Sequence, residues 1–293
     1  MPTEPQPSGL WRSVLYLPAS NARAIEKART LPCDVAVLDL EDAVAPEAKA
    51  EARAAAVDAV LSGGFGPRLG VRINGLDTEW GAGDLAALAE TGVSLIVAPK
   101  VESAEAVRAL SDALPAGAAL IAMIETPAAL MRLESIASAG GGLAGLMLGV
   151  NDLAATLGTG LSADREPLKP WLAAAVAAAR MHGLVVLDGV FNRIDDAEGF
   201  DAECAQGRLY GFAGKSLIHP SQIAAANAAF APSPSEVAHA EAIVAAFADS
   251  SAEGRGAIRV NGAMVERLHF VSAERLLERH RLASGLGAAV ERP

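Results

Sequence analysis

Residues 13–40 read SVLYLPASNARAIEKARTLPCDVAVLDL. Ser13–Leu17 and Val35–Leu40 are short apolar runs, and Asn21–Thr30 between them has the alanine-rich, charged composition of a helix. Two near-continuous apolar strands around one helix describe a βαβ unit, whose parallel strands are buried on both faces. The alternation continues down the chain. Further strands are expected at Leu69–Asn74, Leu95–Pro99, Leu120–Ile124, Gly145–Gly149, Leu184–Leu187 and Tyr210–Gly214. Helices are expected at Pro46–Leu61, Ala82–Glu90, Ser103–Leu114, Pro127–Ala137, Pro167–His182, Asp195–Gln206 and Gln222–Phe230.

About eight such units favour an α/β fold of the TIM (β/α)8 barrel type over an open sheet. No GxGxxG opens the first helix, so a dinucleotide-binding fold gains no support. The barrel is expected over residues 1–231 and a C-terminal extension over 232–293. In the extension, Pro232-Ser233-Pro234-Ser235 reads as a linker ending in a helix cap, and Glu236–Ala248 as a helix. Gly254-Arg255-Gly256 follows, then Ala257–Val260 and Ala263–Glu266 flank Asn261-Gly262, a strong hairpin signal. A last helix is expected at about Ser272–Leu282. This helix–hairpin–helix either caps its own barrel or is lent to a neighbouring subunit.

The composition bounds the partners. The chain has 293 residues, 52% of them hydrophobic and 20% charged, enough for a large core. Its 24 Lys and Arg against 35 Asp and Glu give −11, which argues against a nucleic-acid or anionic-membrane binder. Cys33 and Cys204 form no CxxC or zinc pattern, as suits a reducing compartment. The first nine residues hold three prolines and no apolar stretch, so no signal peptide and a cytoplasmic location are expected. No apolar run reaches the length of a membrane span.

In such a barrel the chemistry belongs where strands end and βα loops begin. Asp39, Glu41 and Asp42 follow the second strand, Arg72 and Asn74 lie at the end of the third, and Lys100 follows the fourth. Glu125 ends the fifth, Asn151 and Asp152 follow the sixth, Asp188 the seventh, and Lys215 and His219 the eighth. Glu125 and Asp152 come from neighbouring strand ends, where two carboxylates can meet one hard cation. The plainer alternatives are a helix cap at Asp152 or Asn151, and a Glu125 bonded to the loop before Pro127. Arg72 interrupts an apolar strand and needs an anion, either an internal one such as Glu41 or a substrate carboxylate. Arg23 and Lys27, four apart, share a helix face that is either solvated or an anion-binding edge. Gly214-Lys215-Ser216 is no phosphate loop, because the upstream glycine that loop requires is Leu209. There is neither GxSxG nor HExxH.

In order along the chain stand RSVLYLP (12–18), LDLEDAV (38–44), VRIN (71–74), APK (98–100), IETP (124–127), GVNDL (149–153) and GFAGKSLIHPSQ (211–222). This series resembles the citrate lyase β-subunit-like (CitE-like) branch of the HpcH/HpaI aldolase family. The resemblance implies a TIM barrel that uses Mg²⁺, or Mn²⁺ with the same oxygen ligands, to cleave or form carbon–carbon bonds in CoA thioesters or keto acids. It implies Glu125 and Asp152 as metal ligands, with Glu125 also lining the substrate site. It implies Arg72 on an oxaloacetate- or glyoxylate-like carboxylate, and Arg23 and Lys27 near the acyl-CoA.

Glu41 is expected to tune the metal's waters or Arg72. Glu266 stands where the resemblance leads one to expect an aspartate, and is the candidate acid or base. The expected activity is a Mg²⁺-dependent CoA-ester lyase in a cytoplasmic homo-oligomer, a trimer or hexamer. The alternatives are a free hydroxy-keto-acid aldolase and a citrate-lyase-like subunit that needs its complex.

Overall fold

The computed structural model describes residues 9–160, 162–248, 257–260 and 262–290, with the side chains of 286–290 left aside. Gly254-Arg255-Gly256 and Asn261 lie outside the described residues. The chain forms two units, 1–230 and 231–293.

The first unit is a closed parallel barrel in sequential strand order. Its strands are β1 (Ser13–Pro18), β2 (Val35–Asp39), β3 (Arg68–Arg72), β4 (Leu95–Ala98), β5 (Ala119–Ile124), β6 (Leu143–Leu148), β7 (Val185–Asp188) and β8 (Gly214–Leu217). Closure comes from β1 pairing with β8, Ser13 opposite Lys215 and Leu15 opposite Leu217. The helices are α1 (Ala22–Ala28), α2 (Lys49–Ser62), α3 (Gly81–Leu88), α4 (Ala104–Asp112), α5 (Pro127–Leu130), α6 (Leu133–Ala137), α7 (Val150–Leu157), α8 (Lys169–Met181), α9 (Ala197–Tyr210) and α10 (Ile223–Phe230).

Strand alternation sorts the core into two layers. Val14, Val35, Val37, Val97, Met123 and Leu187 fill the barrel interior. Leu15, Ala36, Leu38, Val71, Ile96 and Val186 face the helices. By the same alternation Asp39 and Arg72, paired in register across β2 and β3, sit at the top of the interior.

Seven of the eight strands lie where the sequence placed them to within two residues at either end. The eighth does not. Tyr210 ends α9 and Gly211 caps it with φ +100, so the strand begins at Gly214. Its four residues, Gly-Lys-Ser-Leu, are all buried, and the buried Lys215 and Ser216 broke the apolar signal. The helix expected over Pro127–Ala137 is two short helices, α5 and α6. Helix α7 is missing from the expected helices, although a cap at Asn151 or Asp152 is one reading of that turn: its first turn holds the polar Asn151 and Asp152, and it is only eight residues long.

The second unit contains α11 (Pro234–Ala248), an antiparallel hairpin of β9 (Ala257–Val260) and β10 (Ala263–Glu266), and α12 (Arg267–Val290). Ala240, Ile243, Val260, Val265 and Ala273 form its own small core. The last helix is longer than expected and starts directly after the hairpin. Among the described residues no helix is long and apolar enough to cross a membrane.

Candidate active site

A cavity of about 390 Å³ opens at the C-terminal end of the barrel strands. Tyr16, Asp39, Arg72, Met123, Glu125 and Asp152 are among its walls. Each reaches it for a local reason. Asp39 and Arg72 end their strands pointing inward. Glu125 occupies the bend between β5 and α5, where Thr126 caps the helix by accepting from the Ala129 N–H at 3.2 Å and Pro127 starts it. Asp152 stands in the first turn of α7, half-buried. Gly149, which has no side chain to offer, holds the cap position, so neither Asn151 nor Asp152 is the helix cap.

Glu125 is buried. Its Oε1 accepts from the Lys100 main-chain N–H at 2.7 Å, while its buried Oε2 has no hydrogen-bond partner among the described residues. Burial, with the nearby Glu41 charge, pushes this carboxyl up to about 7, and Asp152 adds to the rise. A side chain on Gly149 would collide with it, 2.5 Å from Oε2. The glycine therefore keeps space open beside the partnerless oxygen. A buried carboxylate oxygen without a donor, next to a second carboxylate, suits a hard cation that takes oxygen ligands. Among the described residues no group of three or more His, Cys, Asp or Glu gathers as a cage. The donor set is thus of the open kind, with one or two carboxylates and room for ligand oxygens and water.

Arg72 answers its own burial with internal carboxylates. Its Nε and Nη2 donate to Asp39 at 2.7 and 2.6 Å, a bidentate pair. Asp39 also accepts from the main-chain N–H groups of Glu41 and Ala43, at 2.9 and 3.1 Å. Nη1 lies 2.8 Å from Glu41 Oε2 and 3.5 Å from Asp42. The guanidinium stacks over the Tyr16 ring at 4.9 Å. Among the described residues the Tyr16 hydroxyl donates to thioether sulfurs, Met147 at 3.0 Å and Met123 at 3.7 Å. Burial raises its pKa, so the phenol stays protonated.

The polar ring read from the sequence divides. Asp188 and Lys215 leave it: with Leu187 inside the barrel, Asp188 must face out, and it meets Lys215 at 3.1 Å and Arg165 at 2.7 Å. Glu203 of α9 closes that group, 2.6 Å from Lys215. Asn74 also turns away, bonding Asp84 and Lys49. His219 bonds within its own loop, its Nδ1 accepting from the Ser221 N–H at 3.2 Å. Arg23 and Lys27 are exposed on α1, and neither is among the cavity's lining residues. Glu266 ends β10 in the second unit, also exposed.

Two residues and one pairing escaped the sequence reading. Tyr16 sat unnoticed inside an apolar strand, although a phenol there needs a partner. Gly149 gave a signal, a glycine between a strand and an acidic turn. The pair Asn151–Asn192, whose amides donate to each other at 3.2 and 2.7 Å, ties the α7 turn to the loop after β7. Nothing local in the sequence marks that pair.

Comparisons with known proteins give the chain's relatives. The chain is 46% identical over 271 residues to a (3S)-malyl-CoA thioesterase of Cereibacter sphaeroides, covering 91% of this chain and 93% of the relative. It is 37% identical over 309 aligned residues to the L-malyl-CoA/β-methylmalyl-CoA lyase of Rhodobacter capsulatus, covering 95% and 97%. Among solved structures, the CitE protein of Mycobacterium tuberculosis in complex with magnesium, acetoacetate and coenzyme A superposes with a TM-score of 0.75. That match has 34% identity and covers 92% of this chain and 97% of the other. Residues 12–220, nearly all of the barrel, match the model of one family, and the chain belongs to it: HpcH/HpaI aldolase/citrate lyase.

Proposed function

We propose that the chain is a Mg²⁺-dependent carbon–carbon lyase acting on a β-hydroxyacyl-CoA thioester of the malyl-CoA or citryl-CoA kind. It releases a keto acid such as glyoxylate or oxaloacetate and an acyl-CoA. The observation that carries this reading is the partnerless buried Oε2 of Glu125, beside Asp152 and in one cavity with Arg72. Glu125 and Asp152 hold the metal, which when bound supplies Lewis-acid polarisation of the keto-acid oxygen.

The chain's own residues do the rest. Arg72 orients the substrate carboxylate, and Asp39 keeps the guanidinium in place. Tyr16 and Met123 form an apolar floor that limits water below the reacting carbon. The bond between the hydroxyl-bearing carbon and the carbon next to the thioester breaks. The hydroxyl loses its proton, and the electron pair of the broken bond moves onto the thioester as an enolate, which then takes up a proton. Glu266 is the candidate for that proton transfer, and Arg23 and Lys27 for the CoA phosphates. The same reading makes the protein a cytoplasmic homo-oligomer; both its cysteines are unpaired.

A second reading, hydrolysis of the thioester, is favoured by the 46% identity to a protein named for it. One incubation separates the two. Purified protein with malyl-CoA and Mg²⁺ is expected to yield glyoxylate and acetyl-CoA. Malate with free CoA, and no glyoxylate, would replace the lyase by a thioesterase. Unchanged malyl-CoA, citramalyl-CoA and citryl-CoA would reject both.

A further inference from the structure

Lys100 touches two of the site's carboxylates at once. It is one of two non-glycine residues, among those described, with left-handed backbone, at φ +50. That conformation is sparsely populated by residues with a Cβ and persists where the surroundings impose it. Here it aims the main-chain N–H at Glu125 Oε1 and the side chain at Glu41, with Nζ donating to Oε1 at 2.7 Å. Glu41 in turn places Oε2 2.8 Å from Arg72 Nη1, yet that oxygen has no hydrogen bond of proper geometry. A chain Arg72–Glu41–Lys100 results.

The two edges of the Arg72 guanidinium differ. The Nε/Nη2 edge is filled by Asp39, which two main-chain N–H groups also hold. Nη1 is the exchangeable corner: Glu41 meets it without hydrogen-bond geometry, and Asp42, largely exposed, stands 3.5 Å away. A ligand carboxylate arriving at Nη1 meets Glu41's charge at close range, where like charges repel strongly in a buried setting. Glu41 must then move, and it needs another cation. Lys100 is that cation. Its side chain is 47% exposed, and it lines a second cavity of about 570 Å³ beside Asn74, Asp77 and Thr126. The ion pair therefore has room to shift away from Arg72.

We infer that Lys100 is a positioning residue that draws Glu41 off Arg72 Nη1 and so opens the guanidinium to the substrate carboxylate. The inference rests on the proposed role of Arg72. It predicts coupling: the effect of Lys100 on ligand binding passes through Glu41 and vanishes without it.

The test is calorimetric titration of pyruvate with Mg²⁺ into the full chain and five variants. Lys100→Met is expected to weaken binding about tenfold, a change that removal of one charge-assisted contact readily gives. Lys100→Arg keeps the affinity within about twofold. Lys100→Gly, which accepts the left-handed backbone, repeats the loss and so assigns it to the side chain. Glu41→Gln binds at least as tightly as wild type, and adding Lys100→Met to it changes nothing further. Equal losses in both Glu41 backgrounds, or no loss in Lys100→Met, would overturn the inference while the Arg72 assignment stands. Absence of Mg²⁺-dependent pyruvate binding in wild type would overturn both.

Discussion

Two groups of buried charge sit on this barrel, and they are built in opposite ways. Behind β7 and β8, Arg165 and Lys215 face Asp188 and Glu203, cation matched to anion. Burial presses the Asp188 carboxyl upward, yet Lys215 and Arg165 outweigh it and hold it below the usual range. At the mouth, Asp39, Glu41 and Asp42 pair with Arg72 and Lys100, with Lys49 near enough to feel their charge, while Glu125 and Asp152 make no ion pair among the described residues. Glu125 is held upward, and Glu41 is too: burial raises it more than Arg72 and Lys100 lower it. The matched group holds itself together. The unmatched group is held by the fold against its own repulsion, which a bound divalent cation would relieve. Burial alone thus does not mark a functional cluster; imbalance beside a cavity does.

Substitution of the central carboxylate in each group should separate them most widely. Asp188→Ala leaves Lys215 and Arg165 buried short of an anion, and is expected to cost about 3–5 kcal/mol of stability. Glu125→Gln removes a charge that the fold itself disfavours. It is expected to keep or raise the melting temperature at pH 8, while Mg²⁺-dependent keto-acid binding falls by more than about a hundredfold. Thermal melts and calorimetry on both variants decide it. If Glu125→Gln unfolds the barrel and Asp188→Ala does not, the contrast is reversed.

Each group also has a glycine against its key carboxylate, which sharpens the comparison at smaller amplitude. A Cβ on Gly207 would stand 2.8 Å from Asp188 Oδ2, and one on Gly149 would stand 2.5 Å from Glu125 Oε2. Gly207→Ala is expected to cost about 1–3 kcal/mol of stability and leave metal affinity alone. Gly149→Ala is expected to cost about 10–100-fold in Mg²⁺ affinity, because the ligand oxygen is displaced. Mg²⁺ titrations of the two proteins at one pH would expose an exchange of these effects.

The mildest lever is pH. Glu125 titrates at about 7 in the fold against 4.5 ordinarily, so the folded state holds this proton more tightly. Its contribution to stability is therefore present below pH 4.5 and lost as pH rises to about 7, by roughly 3 kcal/mol at most. Asp188 has the opposite sign: its contribution is present above its ordinary 3.8 and lost as pH falls through the lowered value. If Glu125 holds the metal as proposed, Mg²⁺ displaces its proton, and the affinity is expected to rise up to about tenfold per unit below pH 7 and flatten above. Titrations in buffers of different ionisation heat should show about one proton released at pH 6, and an affinity independent of pH would refute this.

Several of these distinctions were legible along the chain. Once Leu187 is placed inside, period-two alternation already sends Asp188 outward. The same rule applied to Val71-Arg72-Ile73 puts Arg72 inside, because its neighbours are the apolar residues that face the helices. For Lys215 the rule failed, because the eighth strand was read four residues too early, and a shifted strand carries no valid face assignment. Glu125 and Asp152 were found from their places after successive strands. The partner of Arg72 was not assignable: an internal carboxylate such as Glu41 and a substrate carboxylate both answered its charge, and Asp39 takes the bidentate position because it lies across the ladder from Arg72.

The sequence by itself determined the barrel, the helix–hairpin–helix after it and the strand ends that bear chemistry, because periodicity and chain order are local properties. Tertiary structure decided which charges meet. Whether a carboxylate is matched, as Asp188 is, or left with an empty oxygen, as Glu125 is, depends on residues up to tens of positions away brought within 3.1 Å. It depends too on burial, which sets the strength of every charge at that distance.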